Sequence, residues 1–311
     1  MIVNEKKLIK KHYYKLKIRI LGSSGFIGKN LSKFLSKFFL VQNHNRNDSL
    51  KFHENCIINL IGKAHDLKYT SDIESYYKIN FELSNIIYDN FLDSNASIFI
   101  TISSVKAVAD EVDIVLTEDY IPNPNTHYGK SKLLAEQYIL SKEIPQGKRV
   151  YILRPCMIHG PGNKGNLNLL YKLVSKGIPW PLGSFDNKRS FCSIDNLMFI
   201  IKELIEREDI PSGVYNVADD ECLSTNEVIS LLAMSQNKKS NFFLLPKCLI
   251  KAFAKVGDLF QLPLTTERLQ KLTESYVVSN QKIKSAIGKN LQLSSRDGLL
   301  KTFNSFHSNA Q

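Results

Sequence analysis

Two side chains of the stretch "THYGKSK" have the types and the spacing needed for acid–base chemistry. Tyr128 and Lys132 are four residues apart at the start of a strongly helical run, so they lie on one helix face within reach of each other. A lysine ammonium favours the ionised form of a nearby phenol, so Tyr128 could exchange a proton near neutral pH. The same spacing is common on exposed helix faces, and the interpretation therefore depends on the surrounding sequence.

Two hydroxyl groups close the apolar run "SIFITISS" further upstream. The run predicts a buried strand, and Ser103 and Ser104 stand at its carboxyl end. A serine hydroxyl at that place could hydrogen-bond a substrate oxygen, whereas the plainer interpretation is a polar strand end. Val105 and Lys106 follow, so the two positions after the serines carry no carboxylate.

Three glycines mark the first strand-to-helix turn. In "LGSSGFIGKN" they are Gly22, Gly25 and Gly28, placed between the β-type run "KIRIL" and the helix-like "KNLSKFLSKF". This arrangement allows a tight turn, a close approach to a pyrophosphate, and helix N-terminal amides that point at it. The glycine pattern alone could equally be a structural turn, but its position directly after a strand favours a dinucleotide site.

The end of the second predicted strand bears on the choice of dinucleotide. Such sites place Asp or Glu there, about twenty residues after the glycines, to hold the ribose of adenosine. In "NHNRND" the aligned position is Arg46, and a guanidinium suits a 2′-phosphate, which favours NADP(H) over NAD(H). The alternative is that Arg46 is a solvated loop charge and that Asp48 serves the ribose.

Strand-like and helix-like runs alternate along the first half of the chain. The strand-like runs are "KIRIL", "FFLVQNHN", "CIINLIG", "SIFITISS" and "RVYILRP", and the helical runs include "YYKINFELSNIIYDNFL" and "YGKSKLLAEQYILSK". This alternation predicts an α/β protein with a doubly wound parallel sheet, and ligands of such sheets bind at the carboxyl ends of the strands.

Composition restricts the partners. The formal charge is +11, but the lysines are spread along a chain of 311 residues, so we expect a preference for anionic ligands and no nucleic-acid partner. The five cysteines are far apart and form no CxxC, which argues against a disulfide framework or a metal site and fits a reducing cytoplasm. The sequence shows no signal peptide and no transmembrane segment.

Taken together, these motifs resemble the extended short-chain dehydrogenase/reductase family, in its nucleotide-sugar epimerase, dehydratase and 4-ketoreductase branch. The resemblance also includes "NLIGKAHD", "YYKIN", "LRPCMIHGPG" and the segment from "GNLNLLYKL" to "SIDNL". It implies a Rossmann-like dinucleotide domain over residues 17–155 plus about 195–217. A smaller interleaved substrate lobe is expected over 156–194 and 218–311, after a basic N-terminal extension of residues 1–16.

The resemblance assigns roles to individual residues. Ser104 would polarise a sugar oxygen, Tyr128 would transfer its proton, and Lys132 would lower the pKa of Tyr128 and contact the nicotinamide ribose. The implied substrate-binding residues are Ser104, Asn166, Arg189 and, as a weaker candidate, Arg268. The implied cofactor-binding residues for NADP(H) or NAD(H) are Gly22, Gly25, Phe26, Ile27, Gly28, Arg46, Leu60, Ile61, Gly62, Asn80, Tyr128, Lys132 and Pro155.

Departures from the family pattern narrow the reaction. Sugar 4,6-dehydratases carry Asp and Glu where this chain has Val105 and Lys106, so we expect no elimination chemistry. Arg46 and the short connection before "CIINLIG" favour NADPH-dependent reduction of a UDP-4-keto-6-deoxy-N-acetylhexosamine for surface polysaccharide synthesis. The alternatives are a UDP-hexose or UDP-N-acetylhexosamine 4-epimerase, which could act on a lipid-linked sugar, and a dinucleotide-binding regulator without catalysis.

Two further expectations concern contacts with other molecules. The resemblance implies a homodimer formed through the helix of Tyr128, where Leu133, Leu134 and Tyr138 offer apolar contacts. The stretch "NFFLLPKCLIKAFAKVGDLFQL" is amphipathic and carries a lysine at every fourth position. It could rest on anionic lipid, but the interpretation that we favour is a cap helix of the substrate lobe whose lysines face water.

Overall fold

A six-stranded parallel sheet forms the centre of the protein. The computed structural model describes residues 16–63, 72–163, 165–260 and 264–307. The sheet strands are β1 (Lys17–Leu21), β2 (Leu40–Asn43), β3 (Cys56–Asn59), β4 (Ile98–Ile102), β5 (Arg149–Pro155) and β8 (Gly213–Val217). They follow the order β2-β1-β3-β4-β5-β8, and every neighbouring pair is parallel. The predicted doubly wound parallel fold is thereby confirmed.

Alternate residues of the strands enter two separate hydrophobic cores. Ile58 and Ile100 face one core, while their neighbours Ile57 and Phe99 face the other. This alternation is the two-residue period of a strand, and a sheet that is apolar on both faces requires helices on both.

Helices cover both faces of the sheet. One face is covered by α1 (Phe26–Leu35) and α6 (Ile194–Glu206). The other is covered by α3 (Leu83–Leu92) and α4 (His127–Ser141). Ahead of α3 lie a short helix α2 (Ile73–Tyr77) and a π-helical turn (Lys78–Glu82), where the sequence had predicted one uninterrupted helix.

The second lobe is built from the segments after β5. It contains the two-stranded parallel sheet of β6 (Met157–His159) and β7 (Phe191–Ser193), with helix α5 (Asn166–Ser175) between them. Its further helices are α7 (Thr225–Ser235), α8 (Lys247–Phe260), α9 (Thr266–Thr273) and α11 (Ser295–His307), whereas α10 (Gln281–Ile287) packs on the core of the main sheet through Ile283 and Ile287. Trp180, Leu232 and Phe303 lie in a third core that belongs to this lobe.

The chain passes through the main sheet a second time. Residues 194–217 form α6 and β8, and β8 pairs with β5 at the edge of the sheet. The two lobes are therefore interleaved.

The second strand is shorter than the sequence predicted. Phe38 and Phe39 close the end of α1 through hydrogen bonds to the carbonyl of Leu35, so they are not part of β2. After Asn43 the chain runs through turns to β3 and forms no further strand in residues 44–55, all of which are described. Strand β2 is consequently an edge of the sheet.

Candidate active site

The glycine turn between β1 and α1 requires glycine at two positions. Gly22 has a φ of +80°, which side chains other than glycine rarely adopt. A Cβ on Gly28 would lie 2.4 Å from the carbonyl oxygen of Gly22, so α1 is pressed against the turn. Gly25 precedes the first helical residue, Phe26, and no side chain caps this N-terminus. Backbone N–H groups therefore face outward, and they suit a pyrophosphate.

The loop after β2 places Arg46 at the same edge of the sheet. Arg46 is exposed in a turn three residues beyond Asn43, the last residue of β2. Asp48 is engaged within this turn, because its carboxylate accepts a hydrogen bond from the Asn45 N–H, which holds the pKa of Asp48 below its ordinary value. Arg19 also lies 3.7 Å from Asp48. Arg46 was the candidate for binding the 2′-phosphate and Asp48 the candidate for binding the ribose. Of these two side chains, Arg46 is the more accessible.

The segment after β3 lies directly beside Lys132. A Cβ on Gly62 would lie 2.9 Å from Nζ of Lys132 and 3.3 Å from Oδ1 of Asn80. Asn80, which is fully buried in the π-helical turn, accepts a hydrogen bond of 2.7 Å from the Lys63 N–H and donates one of 3.0 Å to Ser131 Oγ. The π-helical turn thus holds Leu60, Ile61 and Gly62 against α4. Residues 64–66 of "NLIGKAHD" lie outside the described residues.

Ser104 and Tyr128 are brought together at the end of β4. The Ser104 side chain accepts a hydrogen bond from the Lys106 N–H and is also hydrogen-bonded to Tyr128. The first turn of α4 packs closely on the residues after Ser104. A Cβ on Gly129 would lie only 2.3 Å from the Lys106 carbonyl oxygen. Burial raises the pKa of Tyr128, and the hydrogen bond to Ser104 offsets part of that rise.

Lys132 is buried one turn further along α4. Its ammonium donates a hydrogen bond of 3.0 Å to the carbonyl oxygen of Ile102, the last residue of β4. Burial lowers the pKa of Lys132 to about 8, and the carboxylate of Glu136 opposes that shift. Near neutral pH the lysine remains cationic, as the stabilisation of a tyrosinate requires.

A buried ion pair supports Lys132. Glu136 accepts hydrogen bonds of 3.0 Å and 2.5 Å from Nε and Nη2 of Arg154, and both side chains are almost fully buried. Arg154 directly precedes Pro155, the last residue of β5. The sequence analysis missed both residues. Glu136 could have been found from its spacing, four residues after Lys132, whereas Arg154 reaches it only through the pairing of β5 with β4.

The substrate residues predicted from the resemblance are placed in the second lobe. Arg189 is partly buried, donates a hydrogen bond to the Lys271 carbonyl oxygen, and lies 3.5 Å from Glu274. Arg268 is exposed on the same helix, α9, as Lys271. Asn166 is exposed at the first position of α5.

Lys106 points from the active-site turn toward these second-lobe residues. Its Nζ lies 4.2 Å from the ring centroid of Tyr276 and donates a hydrogen bond to the Asp110 carbonyl oxygen. Burial lowers the pKa of Lys106, and Glu274 opposes the shift. Two cations, Lys106 and Arg189, therefore interact with the carboxylate of Glu274.

The described ranges contain neither a metal-binding cluster nor a membrane-spanning helix. In the described part of the chain, no group of three or more His, Cys, Asp or Glu side chains is placed to hold a metal ion. Among the helices in those ranges, none combines the length and apolar character required to cross a bilayer.

Comparisons with known proteins agree with this arrangement. Residues 40–218 match the sequence model of the NAD dependent epimerase/dehydratase family. UDP-glucose 4-epimerase of Vibrio cholerae is 32% identical over 269 residues, which cover 77% of this chain and 81% of that protein. Two further relatives are each 25% identical. They are the N-acetyl-α-D-glucosaminyl-diphospho-ditrans,octacis-undecaprenol 4-epimerase of Escherichia coli O157:H7, with coverages of 71% and 73%, and the GDP-6-deoxy-D-mannose reductase of Pseudomonas aeruginosa, with 69% and 78%.

Solved structures with the same fold cover almost the whole chain. UDP-glucuronic acid 4-epimerase of Bacillus cereus, in complex with NAD, superposes with a TM-score of 0.74 at 18% identity over 95% of this chain and all of that one. RMD of Pseudomonas aeruginosa, complexed with NADPH, gives 0.72 at 20% identity over 94% and 99%. Since the family match spans more than half of the chain and the Vibrio relative aligns with over three quarters of it, this chain belongs to the NAD dependent epimerase/dehydratase family.

Proposed function

We propose that this chain is an NAD(P)-dependent oxidoreductase acting at C4 of a nucleotide-linked sugar, and that its reaction is the net reduction of a 4-keto sugar. The expected substrate is a UDP-4-keto-6-deoxy-N-acetylhexosamine used for surface polysaccharide. The observation that carries the assignment as an oxidoreductase is the group of Ser104, Tyr128 and Lys132 at the carboxyl edge of the sheet, where Lys132 lies against Gly62.

The chain's own residues would perform the proton chemistry. Tyr128 gives its phenolic proton to the sugar oxygen as the carbonyl becomes a hydroxyl. Ser104 hydrogen-bonds the same oxygen and polarises it, and Lys132 stabilises the tyrosinate that remains. The glycine turn, Leu60–Gly62 and Pro155 would hold the nicotinamide cofactor, which supplies the hydride when bound.

The residues after Ser104 argue against a dehydratase. Val105 is buried, and the Lys106 side chain is directed toward Tyr276 and Asp110. The Asp110 carboxylate is occupied by hydrogen bonds from the Asn125 and Thr126 N–H groups at the start of α4. Elimination of water from a sugar needs an acid and a base close to the ring, and these positions supply neither.

The loop after β2 supports reduction over epimerisation. The strand end carries Asn43, His44 and Asn45 before Arg46, and the first carboxylate, Asp48, is engaged in its own turn. A cation at this place suits the 2′-phosphate of NADPH.

A 4-epimerase is the second candidate, because the relative with 32% identity is a UDP-glucose 4-epimerase. A relative that acts on an undecaprenol-linked sugar extends this candidate to lipid-linked substrates. The group of Ser104, Tyr128 and Lys132 would serve either reaction, since both require proton transfer at the C4 oxygen.

Activity assays of the purified protein with defined nucleotide sugars distinguish these functions. For a reductase we expect NADPH consumption in a one-to-one ratio with a UDP-4-keto sugar, and no reaction with UDP-N-acetylhexosamines alone. Isomerisation of an ordinary UDP-sugar by a retained NAD, without added cofactor, would refute reduction and establish epimerisation. The variant Tyr128→Phe tests the role of the phenol. We expect its rate to fall roughly 10²- to 10⁴-fold. A regulator without catalysis would show no turnover even as the wild-type protein.

A further inference from the structure

Helix α8 presents an exposed apolar face that no other part of the described chain covers. Phe253 is 61% exposed, Leu259 is 77% exposed and Phe260 is 66% exposed. Leu249 and Val256 are also exposed and lie on the same side of the helix, at the spacing of its successive turns. The exposed apolar side chains of this surface, named the α8 face below, are Phe243, Leu244, Leu245, Leu249, Phe253, Val256, Leu259 and Phe260.

The α8 face is distinct from the side on which the helix packs. Ile250, Ala254 and Gly257 are buried and face α9 and the core of the second lobe. A Cβ on Gly257 would lie 1.8 Å from the Leu264 carbonyl oxygen, so the helix is fixed closely on this side. The exposed apolar residues on the other side of α8 are thus not required for packing within the lobe. Large exposed apolar patches mark interaction sites.

The segment before α8 extends the same surface and is held firmly. Phe243 donates a backbone hydrogen bond of 2.9 Å to the Trp180 carbonyl oxygen, and Ser184 donates one of 2.6 Å to that of Leu245. Phe243 and Leu244 therefore stand in a fixed backbone beside the helix, with 55% and 74% of their surfaces exposed.

A row of lysines occupies the side of α8 opposite Leu249, Phe253 and Val256. Lys247, Lys251 and Lys255 recur at every fourth residue of α8 and are all exposed. The stretch from Lys238 to Phe260 carries five lysines and one acid, Asp258. The Asp258 carboxylate is already engaged by the backbone N–H and the hydroxyl of Thr266 at the start of α9. The surface around the apolar residues is thus strongly cationic.

We propose that the α8 face binds the surface of an anionic phospholipid bilayer. A helix with Phe and Leu on one side and a lysine-rich polar side lies in a bilayer interface, where the apolar residues enter the headgroup boundary and the lysines are attracted to acidic headgroups. A second copy of the chain fits less well, because each copy brings the same cationic helix and a formal charge of +11 to the contact.

This inference changes the meaning of the amphipathic pattern. The sequence favoured a cap helix of the substrate lobe with lysines in water, and α8 does cap that lobe through Ile250 and Ala254. The structure adds that its Leu and Phe side chains also face outward. The inference is independent of the proposed reaction, because it concerns the outer surface of the lobe and none of the residues around Tyr128.

Vesicle flotation with the full-length protein tests the proposal. We expect binding to vesicles of phosphatidylglycerol and phosphatidylethanolamine, weak binding to pure phosphatidylcholine, and weaker binding at high salt. The double variant Leu249→Ser/Phe253→Ser should bind roughly tenfold more weakly. Its matched control is Ile114→Ser/Ile121→Ser, since both of these residues are 71% or more exposed and lie outside the face.

The lysines are tested in the same assay. Lys251→Gln/Lys255→Gln should lose most of the preference for anionic lipid, whereas Lys33→Gln/Lys37→Gln, an exposed pair with the same spacing on another surface, should keep it. Thermal unfolding and turnover of a soluble nucleotide sugar verify that each variant is folded.

Three outcomes would overturn the proposal. The first is wild-type protein that binds neither kind of vesicle. The second is equal binding by wild type and the Leu249→Ser/Phe253→Ser variant. The third is a wild-type oligomer that this variant dissociates in the absence of lipid binding, which would assign the face to a contact between copies. None of these outcomes bears on whether the enzyme reduces a 4-keto sugar.

Discussion

We propose that Arg46 decides between NADPH and NADH in this chain. It is exposed just after the edge strand β2, and Asp48 is held by its own turn and by Arg19. We expect Arg46→Ala to weaken NADPH binding about tenfold or more while NADH binding changes little, because only NADPH carries the 2′-phosphate. Titration of both cofactors by tyrosine fluorescence or calorimetry measures this, with Lys51→Ala in the same loop as control.

An equal loss for both cofactors would contradict the assignment of Arg46 to the 2′-phosphate. It would indicate instead that Arg46 contributes only general positive charge to the loop, and the argument for reduction over epimerisation would lose its main support.

Burial lowers the pKa of Lys132, and the Glu136 carboxylate one turn away opposes that lowering. The pKa of Lys132 is lowered to about 8, so the ammonium is present below that pH and is lost above it. Glu136 opposes the lowering, so Glu136→Gln should lower the pKa of Lys132 further. The alkaline limb of the pH profile of kcat/KM should therefore move to lower pH, and activity at alkaline pH should fall.

A control is needed because Glu136→Gln also leaves Arg154 buried without its partner. Removal of one member of a buried ion pair costs about 3–5 kcal/mol of unfolding free energy. The double variant Glu136→Gln/Arg154→Met should recover stability in thermal unfolding and still show the displaced alkaline limb. A profile that matches wild type in this double variant would show that Glu136 has only a structural role.

We propose that the turn between β1 and α1 is the element that binds the pyrophosphate of the cofactor. Its two outer glycines differ from the middle one in the space around them. A Cβ at Gly28 would fall 2.4 Å from the Gly22 carbonyl oxygen, whereas at Gly25 the nearest atom is 3.4 Å away. We expect Gly28→Ala to displace α1 and to weaken cofactor binding by an order of magnitude or more, and to lower the melting temperature.

Gly25→Ala is the matched variant for this element. Its φ of −72° is open to any residue and its surroundings can accept a methyl group with small shifts, so the fold should remain intact. If Gly28→Ala and Gly25→Ala had the same melting temperature, the close approach of α1 to the turn would be irrelevant to the stability of this element.

Much of the element order could be predicted from the sequence. The five apolar runs of the first half became β1 to β5, because strands buried on both faces read as continuous apolar segments. The start of β2 was predicted too early, at Phe38 and Phe39, because these residues close α1 through main-chain hydrogen bonds that composition does not reveal.

The interruption of the long helix before α3 could not be predicted in the same way. Its π-helical turn carries Asn80, whose side chain satisfies both the N–H and the carbonyl of Lys63, a residue seventeen positions earlier. Helical periodicity contains no information on such a tertiary contact, and π-turns of this kind occur at functional sites. The partner of Glu136 could not be predicted for the same reason, because Glu136 lies on helix α4 and Arg154 on strand β5.

At the scale of the whole molecule, we propose a homodimer formed by α3 and α4. Tyr138 of α4 donates hydrogen bonds to Asp89 of α3, so the two helices present one joint surface. Ile86 is 50% exposed and Leu134 is 37% exposed on this surface, while Leu133 and Tyr138 are half-buried. Two copies joined there would form a four-helix contact.

A mass measurement tests the dimer. Leu134→Glu should convert a dimer to a monomer in light scattering, because two carboxylates would face each other across the two-fold axis. Leu169→Glu, at a residue that is 65% exposed on α5, should leave the mass unchanged. A wild-type protein that is monomeric at micromolar concentration would eliminate this surface as a dimer interface.

The return of the chain to the main sheet also constrains the order in which the protein can be assembled during synthesis. In the sheet, β5 pairs with β4 on one side and with β8 on the other. Strand β8 ends at Val217, sixty-two residues after Pro155, the last residue of β5. At ribosomal rates of about 5–20 residues per second, the apolar edge of β5 stays unpaired for roughly 3–12 s while the intervening part of the second lobe is made. An open, hydrophobic strand edge is a template for association with other chains. This interval is therefore the one in which a nascent chain depends most on chaperones, and slowing translation between β5 and β8 should increase aggregation of the newly made protein.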